Sequence, residues 1–277
     1  MPNTIDVEAL AAEFSEEGFV RIPQAFSAGQ ACAMQDVIWG ELERAHGIRR
    51  DAPETWTIER PVQLQAIKAD PAFEALAAEP VLATIDHLLG AGNWKVPKQW
   101  GGFHLAFPQE SDDKSTPEGV TAPQGAWHAD FHYTYDPKPV FGLVVFCFLD
   151  DVESHGGGTI ALRASHKLVE NFVSHLPDVD RKNYAQTRKK LAATDTWLRE
   201  LMDGGDRRNE QFASAEFCVG QNRIIDGIEL ELVEFTAKAG DVILMHPWLL
   251  HTAAANHASR PRMMRAKAIY REESANG

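Results

Sequence analysis

The chain has 277 residues, enough for one large domain with a sizeable core. Hydrophobic residues make up 44% and charged residues 24%, an ordinary globular composition, so neither disorder nor a fibrous repeat is indicated. A formal net charge of −13 argues against a nucleic-acid partner, which would want a basic patch.

Taken in order, residues 5–17 read as a helix with Leu10 and Phe14 on one side and Gly18 as its stop. The segment FVRIP at 19–23 is a short extended piece. Ser27 can cap a second helix whose Met34, Ile38 and Leu42 form an apolar stripe, ending near Gly47. Residues 49–60 carry little order signal. Residues 71–89 hold one or two helices, the second starting at Pro80. Together, residues 1–92 make an N-terminal helical support. Residues 94–107 read as one or two strands, with Pro97 marking an edge or break and Gly101-Gly102 a bulge or close backbone approach.

Residues 108–125 form a polar loop of some length. Residues 140–149 are almost continuously apolar, as in a strand buried on both faces, and Cys147 within it reads as a core thiol. Cys32, Cys147 and Cys218 are too widely spaced for a zinc motif or a disulfide framework. Gly156-Gly157-Gly158 turns the chain before TIAL at 159–162. From 167 to 217 the pattern is charged and helix-compatible, a mostly helical insertion between strands. Residues 224–235 look like a surface hairpin strand, 241–250 like a second apolar strand ending at His251, and 263–271 like the last strand, with a loose tail.

Short strands separated by turns and preceded by helices predict a mostly β chain with flanking helices, folded as a double-stranded β-helix of the jelly-roll or cupin type in a single domain over 1–277. No GxGxxG follows a strand and no GxxxxGK[ST] occurs, so nucleotide-binding signatures are absent. No apolar run approaches the roughly 20 residues that span a bilayer, and the acidic start MPNTIDVEALAAEF has no signal-peptide core. A cytoplasmic protein without a membrane partner is expected.

The chemistry concentrates in GAWHADFHYTYD at 125–136. On a strand, His128 and Asp130 share a face, giving an imidazole and a carboxylate aimed the same way. That is two thirds of the facial triad that binds non-heme Fe(II) with open positions, although the pair alone also suits a polar strand edge. A second histidine is available at His246 or His251. Five positions apart, they would face opposite ways on a regular strand, so only one can serve. His251, where the strand meets its loop, is the choice.

These residues sit in a wider pattern. EGFVRIP at 17–23, WHAD at 127–130, Asp150-Asp151, GGGTIALRASHK at 156–167 and GDVILMHPWLLHTAAANHASRPR at 240–262 together resemble the phytanoyl-CoA dioxygenase family of Fe(II)- and 2-oxoglutarate-dependent oxygenases. The resemblance spans most of the chain in the family's order. It implies iron ligands at His128, Asp130 and His251, with Arg262 clamping the distal carboxylate of 2-oxoglutarate. A guanidinium makes a bidentate, charge-assisted pair that lysine would not reproduce. By spacing alone, Arg260 and Arg265 are alternatives. The sequence departs from the family where Thr252-Ala253 replace Gly-Ser. Thr252 and Thr159 are candidate hydroxyl donors to the cosubstrate. His104 stands where some relatives have a lysine for 2-oxoglutarate. Ala164-Ser165-His166 replaces Gly-Ser-His and reads as structural.

The implied activity consumes 2-oxoglutarate and O2, releases succinate and CO2, and hydroxylates an unactivated C–H of a small molecule. Asp130 favours hydroxylation, because the family's halogenases have Gly or Ala in its place. Desaturation, epimerisation and ring closure are other outcomes of the same chemistry. Candidates for the substrate pocket are Lys98, Trp100, Phe103, His132, Tyr133, Tyr135, Phe146 and Trp248, each of which also suits a core or surface position. The competing readings are a cupin-type isomerase or 2-oxoglutarate-independent dioxygenase, which would need the metal but no carboxylate clamp, and a non-catalytic jelly-roll binding protein. No signal sets the oligomeric state.

Overall fold

The computed structural model describes residues 6–109, 120–204 and 215–272. Helix α1 (Val7–Glu17) starts at Asp6, whose carboxylate accepts from the Ala9 N–H, and ends where Gly18 turns left-handed and donates to the Phe14 carbonyl. Strand β1 (Phe19–Ile22) follows, then α2 (Ala28–His46). Ser27 and Gln30 close a reciprocal capping box at the start of α2, and Gly47 ends it. A 3-10 segment at Pro71–Leu76 leads into α3 (Glu79–Leu89). Strands β2 (Gly102–Ala106), β3 (Gly142–Phe148) and β4 (Thr159–Arg163) come next. Four helices follow: α4 (Ser165–Ser174), α5 (Asp178–Arg181), α6 (Tyr184–Ala192) and α7 (Thr196–Asp203). The chain closes with β5 (Asn222–Ile225), β6 (Ile228–Glu234), β7 (Val242–Met245), β8 (His251–Ala253) and β9 (Arg262–Tyr270).

The strands form two antiparallel sheets, one ordered β1-β7-β3-β9-β2 and the other β5-β6-β4-β8. Strand β3 is buried at every position, because alternate residues serve two cores. Val144, Phe146 and Phe148 join Ile160 and Leu162 of β4 and Leu230 and Leu232 of β6 in the core between the sheets. Leu143, Val145 and Cys147 join Phe14, Met34, Ile38, Leu42 and Ile85 of α1, α2 and α3 in the second core. Each such side chain contributes roughly 1.5–3 kcal/mol of burial. The buried Cys147 thiol is pushed up to about 12 by desolvation, which keeps it un-ionised. No helix among the described residues is long and apolar enough to cross a membrane.

The expected mostly β double-stranded β-helix is corrected. Helix takes 35% of the described residues and strand 22%. The fold is mixed α/β, and its two small sheets do not close into a barrel. Three strand readings account for much of the difference. Residues 94–101 and 125–139 are irregular apart from isolated bridges, and the apolar run 241–250 is not one strand. Strand β7 stops at Met245, the chain turns with the Leu249 N–H on the His246 carbonyl, and β8 begins in the other sheet at His251. The run 224–235 is most of a hairpin, β5 and β6, turned at Asp226-Gly227. Most of the polar loop at 108–125 and the expected tail lie outside the described residues.

Candidate metal centre

His251 opens β8 and is buried between the sheets, while His128 lies on the irregular segment opposite. Their backbones form an isolated antiparallel bridge, His128 N–H to His251 carbonyl at 3.1 Å and the reverse at 3.0 Å. This bridge, rather than a regular strand, aligns the two rings, whose centroids are 4.4 Å apart. Asp130 completes the group. Its Oδ1 is 3.8 Å from His128 Nε2 and its Oδ2 3.5 Å from His251 Nε2. One ligand atom from each residue lies within 4.8 Å of the other two.

The ring orientations suit a metal. His128 Nδ1 lies 3.1 Å from the Ala126 carbonyl, and His251 Nδ1 lies 3.0 Å from the Leu249 carbonyl. A carbonyl only accepts, so each Nδ1 carries the proton and each Nε2 presents a lone pair toward Asp130. Burial holds the His251 imidazole below its usual pKa, which favours the neutral, ligating form. Two imidazoles and one carboxylate with open positions are the donor set of a non-heme Fe(II) site. The residues present therefore fit that ion.

The same three side chains line a cavity of about 370 Å³ shared with His104, Thr159, Thr252, Arg262, Val144, Phe146 and Met264. Strand register explains the selection. On β9, Arg262 and Met264 face the cavity, and His104 of β2 sits directly opposite Met264. Arg262 is 5% exposed, and among the described residues it has no carboxylate partner. One of its Nη atoms donates to the Gly157 carbonyl, while its buried Nε has no partner. Desolvation, with a smaller contribution from Arg60, pushes it down to about 10, so it remains a cation at neutral pH. Gly157 has φ +75°, and a Cβ there would stand 2.8 Å from Asn256 Cβ, so the turn that aims this carbonyl needs glycine. Desolvation, and then the Arg262 charge, hold His104 below its ordinary pKa, in the neutral form.

Arg260 and Arg265 lie elsewhere. Arg260 is paired with Asp150 at 3.2 Å. Arg265 faces the helical side, between Phe73 and Phe103, and donates to the Gly101 carbonyl. Among the eight expected substrate-pocket residues, Phe146 lines the cavity. Lys98 and Trp100 border a different, smaller depression, and Phe103 packs edge-on to Phe73. Tyr133 is buried and stacked on Tyr184, Tyr135 is stacked on Phe141, and Trp248 donates to the His132 carbonyl. The His132 ring lies on the edge of Tyr184. His246 is buried against Phe14, His166 and Trp248, away from the cavity lining. Val144, Met264, Ala266 and Ala268 are cavity residues that sequence reasoning missed. The inward parity of β3 and β9 is the signal that could have found them.

A mixed α/β fold of two antiparallel sheets with two histidines and an aspartate converging between them defines a non-heme iron oxygenase. The phytanoyl-CoA dioxygenase (PhyH) family model matches residues 14–264, and the chain belongs to that family. It is a Fe(II)- and 2-oxoglutarate-dependent oxygenase acting on a small molecule.

Solved structures with the same fold include HygX from Streptomyces hygroscopicus with nickel and 2-oxoglutarate bound. That likeness has 15% identity and a TM-score of 0.53, covering 97% of this chain and 88% of the other. EctD from S. alaskensis with 2-oxoglutarate and 5-hydroxyectoine has 19% identity and a TM-score of 0.51, covering 98% and 77%. The epimerase SnoN in complex with Fe3+, alpha ketoglutarate and nogalamycin RO has 18% identity and a TM-score of 0.51, covering 96% and 83%. A search of curated proteins found no match.

Proposed function

We propose that His128, Asp130 and His251 hold the iron, that Arg262 receives the distal carboxylate of 2-oxoglutarate, and that the reaction hydroxylates an unactivated C–H of a small molecule. The observation that carries this reading is the pairing of two features in one cavity: a triad presenting two Nε2 lone pairs and a carboxylate, and a buried cation with no anionic partner among the described residues. When bound, iron, 2-oxoglutarate and O2 supply the oxidising chemistry and release succinate and CO2.

The chain's own residues orient and seclude. Arg262 offers a rigid fork at a fixed distance from the triad, held by the Gly157 carbonyl. Thr159 and Thr252 are neighbours on β4 and β8, where hydroxyls would reach the cosubstrate's carboxylates. His104, neutral beside Arg262, would serve there as a donor or acceptor rather than as a second cation. Val144, Phe146, Met264, Ala266 and Ala268 give the cavity an apolar wall that excludes water from the reacting centre. The His128 side chain is 45% exposed against 7% for His251, so substrate approaches from the side of the 125–139 segment. One domain carries the whole site, because each of its ligands comes from a segment packed against the same two sheets.

The test is an anaerobic titration with Fe(II) and 2-oxoglutarate, watched for the weak visible charge-transfer band of the chelate. Its absence under verified iron loading would refute the reading. A screen for compounds that stimulate succinate release then identifies the substrate.

A further inference from the structure

Strand pairing accounts for only one edge of the segment that carries His128 and Asp130. His128 uses its N–H and carbonyl on His251. In an extended stretch, the backbone groups of alternate residues point to opposite edges, so those of Trp127 and Ala129 point away from β8. No strand lies there among the described residues. Helix α6 does. The Tyr184 hydroxyl donates to the Ala129 carbonyl at 2.6 Å and accepts from the Ala129 N–H at 3.1 Å. Arg188, one turn further along α6, donates from Nε to the Trp127 carbonyl at 2.7 Å. Its guanidinium is fixed in turn by Asp203 at 2.7 Å and by the Met202 carbonyl at the end of α7.

The contacts continue on both sides. The Gly125 N–H donates to the Leu201 carbonyl at 3.0 Å. The Tyr184 ring stacks on Tyr133, centroids 5.2 Å apart and 11° from parallel, and meets the edge of His132 at 5.7 Å. Two side chains of one helix therefore do for this segment what a neighbouring strand would do for an edge strand. Asp130 itself makes no hydrogen bond to another group among the described residues, so its direction is set by the backbone of Ala129.

We propose that Tyr184 and Arg188 are positioning residues for the iron site, holding the Trp127 and Ala129 backbone on either side of His128 so that the ligand atoms of His128 and Asp130 face His251. The α4–α7 region thereby becomes part of the metal site's frame. The inference rests on the reading of His128, Asp130 and His251 as iron ligands. Groups that fix the surroundings of metal ligands typically contribute 10- to 100-fold in metal affinity.

The experiment uses the full chain and reads metal binding rather than turnover. Fe(II) affinity is measured anaerobically at saturating 2-oxoglutarate through the chelate band, and the Co(II)-substituted protein gives the ligand-field spectrum. Tyr184→Phe keeps the ring stacked on Tyr133 and removes only the hydroxyl. It should weaken Fe(II) binding about 10- to 100-fold and shift the Co(II) spectrum. Arg188→Met should act in the same direction, and Arg188→Lys should recover only part of the loss; this pair carries the test if Tyr184→Phe does not fold. Thr187→Val is the control. Thr187 also lies on α6, and the change removes a hydroxyl that donates to the Asp180 carbonyl of α5 rather than to the 125–133 segment. It should lower the melting temperature and leave Fe(II) affinity within twofold.

Wild-type affinity and spectrum in both Tyr184→Phe and Arg188→Met would overturn the proposal. So would a loss in Thr187→Val as large as in Tyr184→Phe, since general loosening of α6 would then explain both. A wild-type protein that forms no chelate band, indistinguishable from His251→Ala, would fail the ligand assignment itself and this inference with it.

Discussion

Replacing Arg262 with methionine separates the cosubstrate from the metal. Arg262 is 5% exposed, its Nε is unpartnered, and desolvation takes the guanidinium from its ordinary value down to about 10. At about 1.4 kcal/mol per pK unit, that difference is roughly 3 kcal/mol of penalty on the charged form. Because the folded-state pKa is the lower one, the penalty is fully present at every pH below about 10. A carboxylate bound in bidentate fashion offsets it, and losing one partner of such a buried pair costs about 3–5 kcal/mol. Arg262→Met should therefore weaken 2-oxoglutarate binding by about 100- to several-thousand-fold, from the same figures. The apo protein should melt at the same temperature or higher, because an uncompensated buried charge has gone. Fe(II) affinity without 2-oxoglutarate should not change. Calorimetric titration of the metal-loaded protein with 2-oxoglutarate, alongside thermal melts of the apo form, measures all three. Unchanged cosubstrate affinity would refute the carboxylate-clamp assignment and favour a metalloenzyme that does not use 2-oxoglutarate.

Other expectations follow from neighbouring positions. His251→Ala should abolish Fe(II) binding while His246→Gln retains it, read by the chelate band; the reverse result would exchange their roles. Gly157→Ala places a methyl group 2.8 Å from Asn256 Cβ at a left-handed φ, so it should cost about 1–3 kcal/mol in urea unfolding and displace the carbonyl that holds Arg262. Acid should destabilise the fold through His166, which burial pushes down to about 4 from 6.5. The unfolded chain then binds more protons between those values, so stability is retained above pH 6.5 and about 3 kcal/mol is lost as pH falls through 4. In His166→Gln, urea midpoints should fall less over that range, and an identical pH dependence would remove His166 as the cause.

Local chemistry in the sequence reaches further than its weak long-range signal. Helix α2 was legible from Ser27 and Gly47 because caps act within a few residues. Strand β3 was legible because an unbroken apolar run has no exposed face to hide. The break inside 241–250 was not legible. Residues on both sides of it are buried, so no change in polarity marks where the chain leaves one sheet for the other. His251 reaches the cavity and His246 does not for a reason other than strand parity, since the two never share a strand. Composition alone offers the aromatic residues of 125–136 as pocket candidates. In an irregular segment no alternation says which ring faces the cavity, and Tyr133 and Tyr135 went to the core.

The sequence by itself supplied the candidate donors. His128 and Asp130 are chemically competent two residues apart, His251 and Arg262 follow in family order, and the chain's membership in the phytanoyl-CoA dioxygenase family fits that order. Only the tertiary structure decided how the donors meet. Backbone hydrogen bonds between His128 and His251, a paired strand that puts His104 opposite Met264 and two positions from Arg262, and two side chains of α6 on the Trp127 and Ala129 backbone all join residues distant along the chain. Such contacts depend on the satisfaction of backbone groups that every residue carries alike, so the identities of the side chains give no direct sign of them.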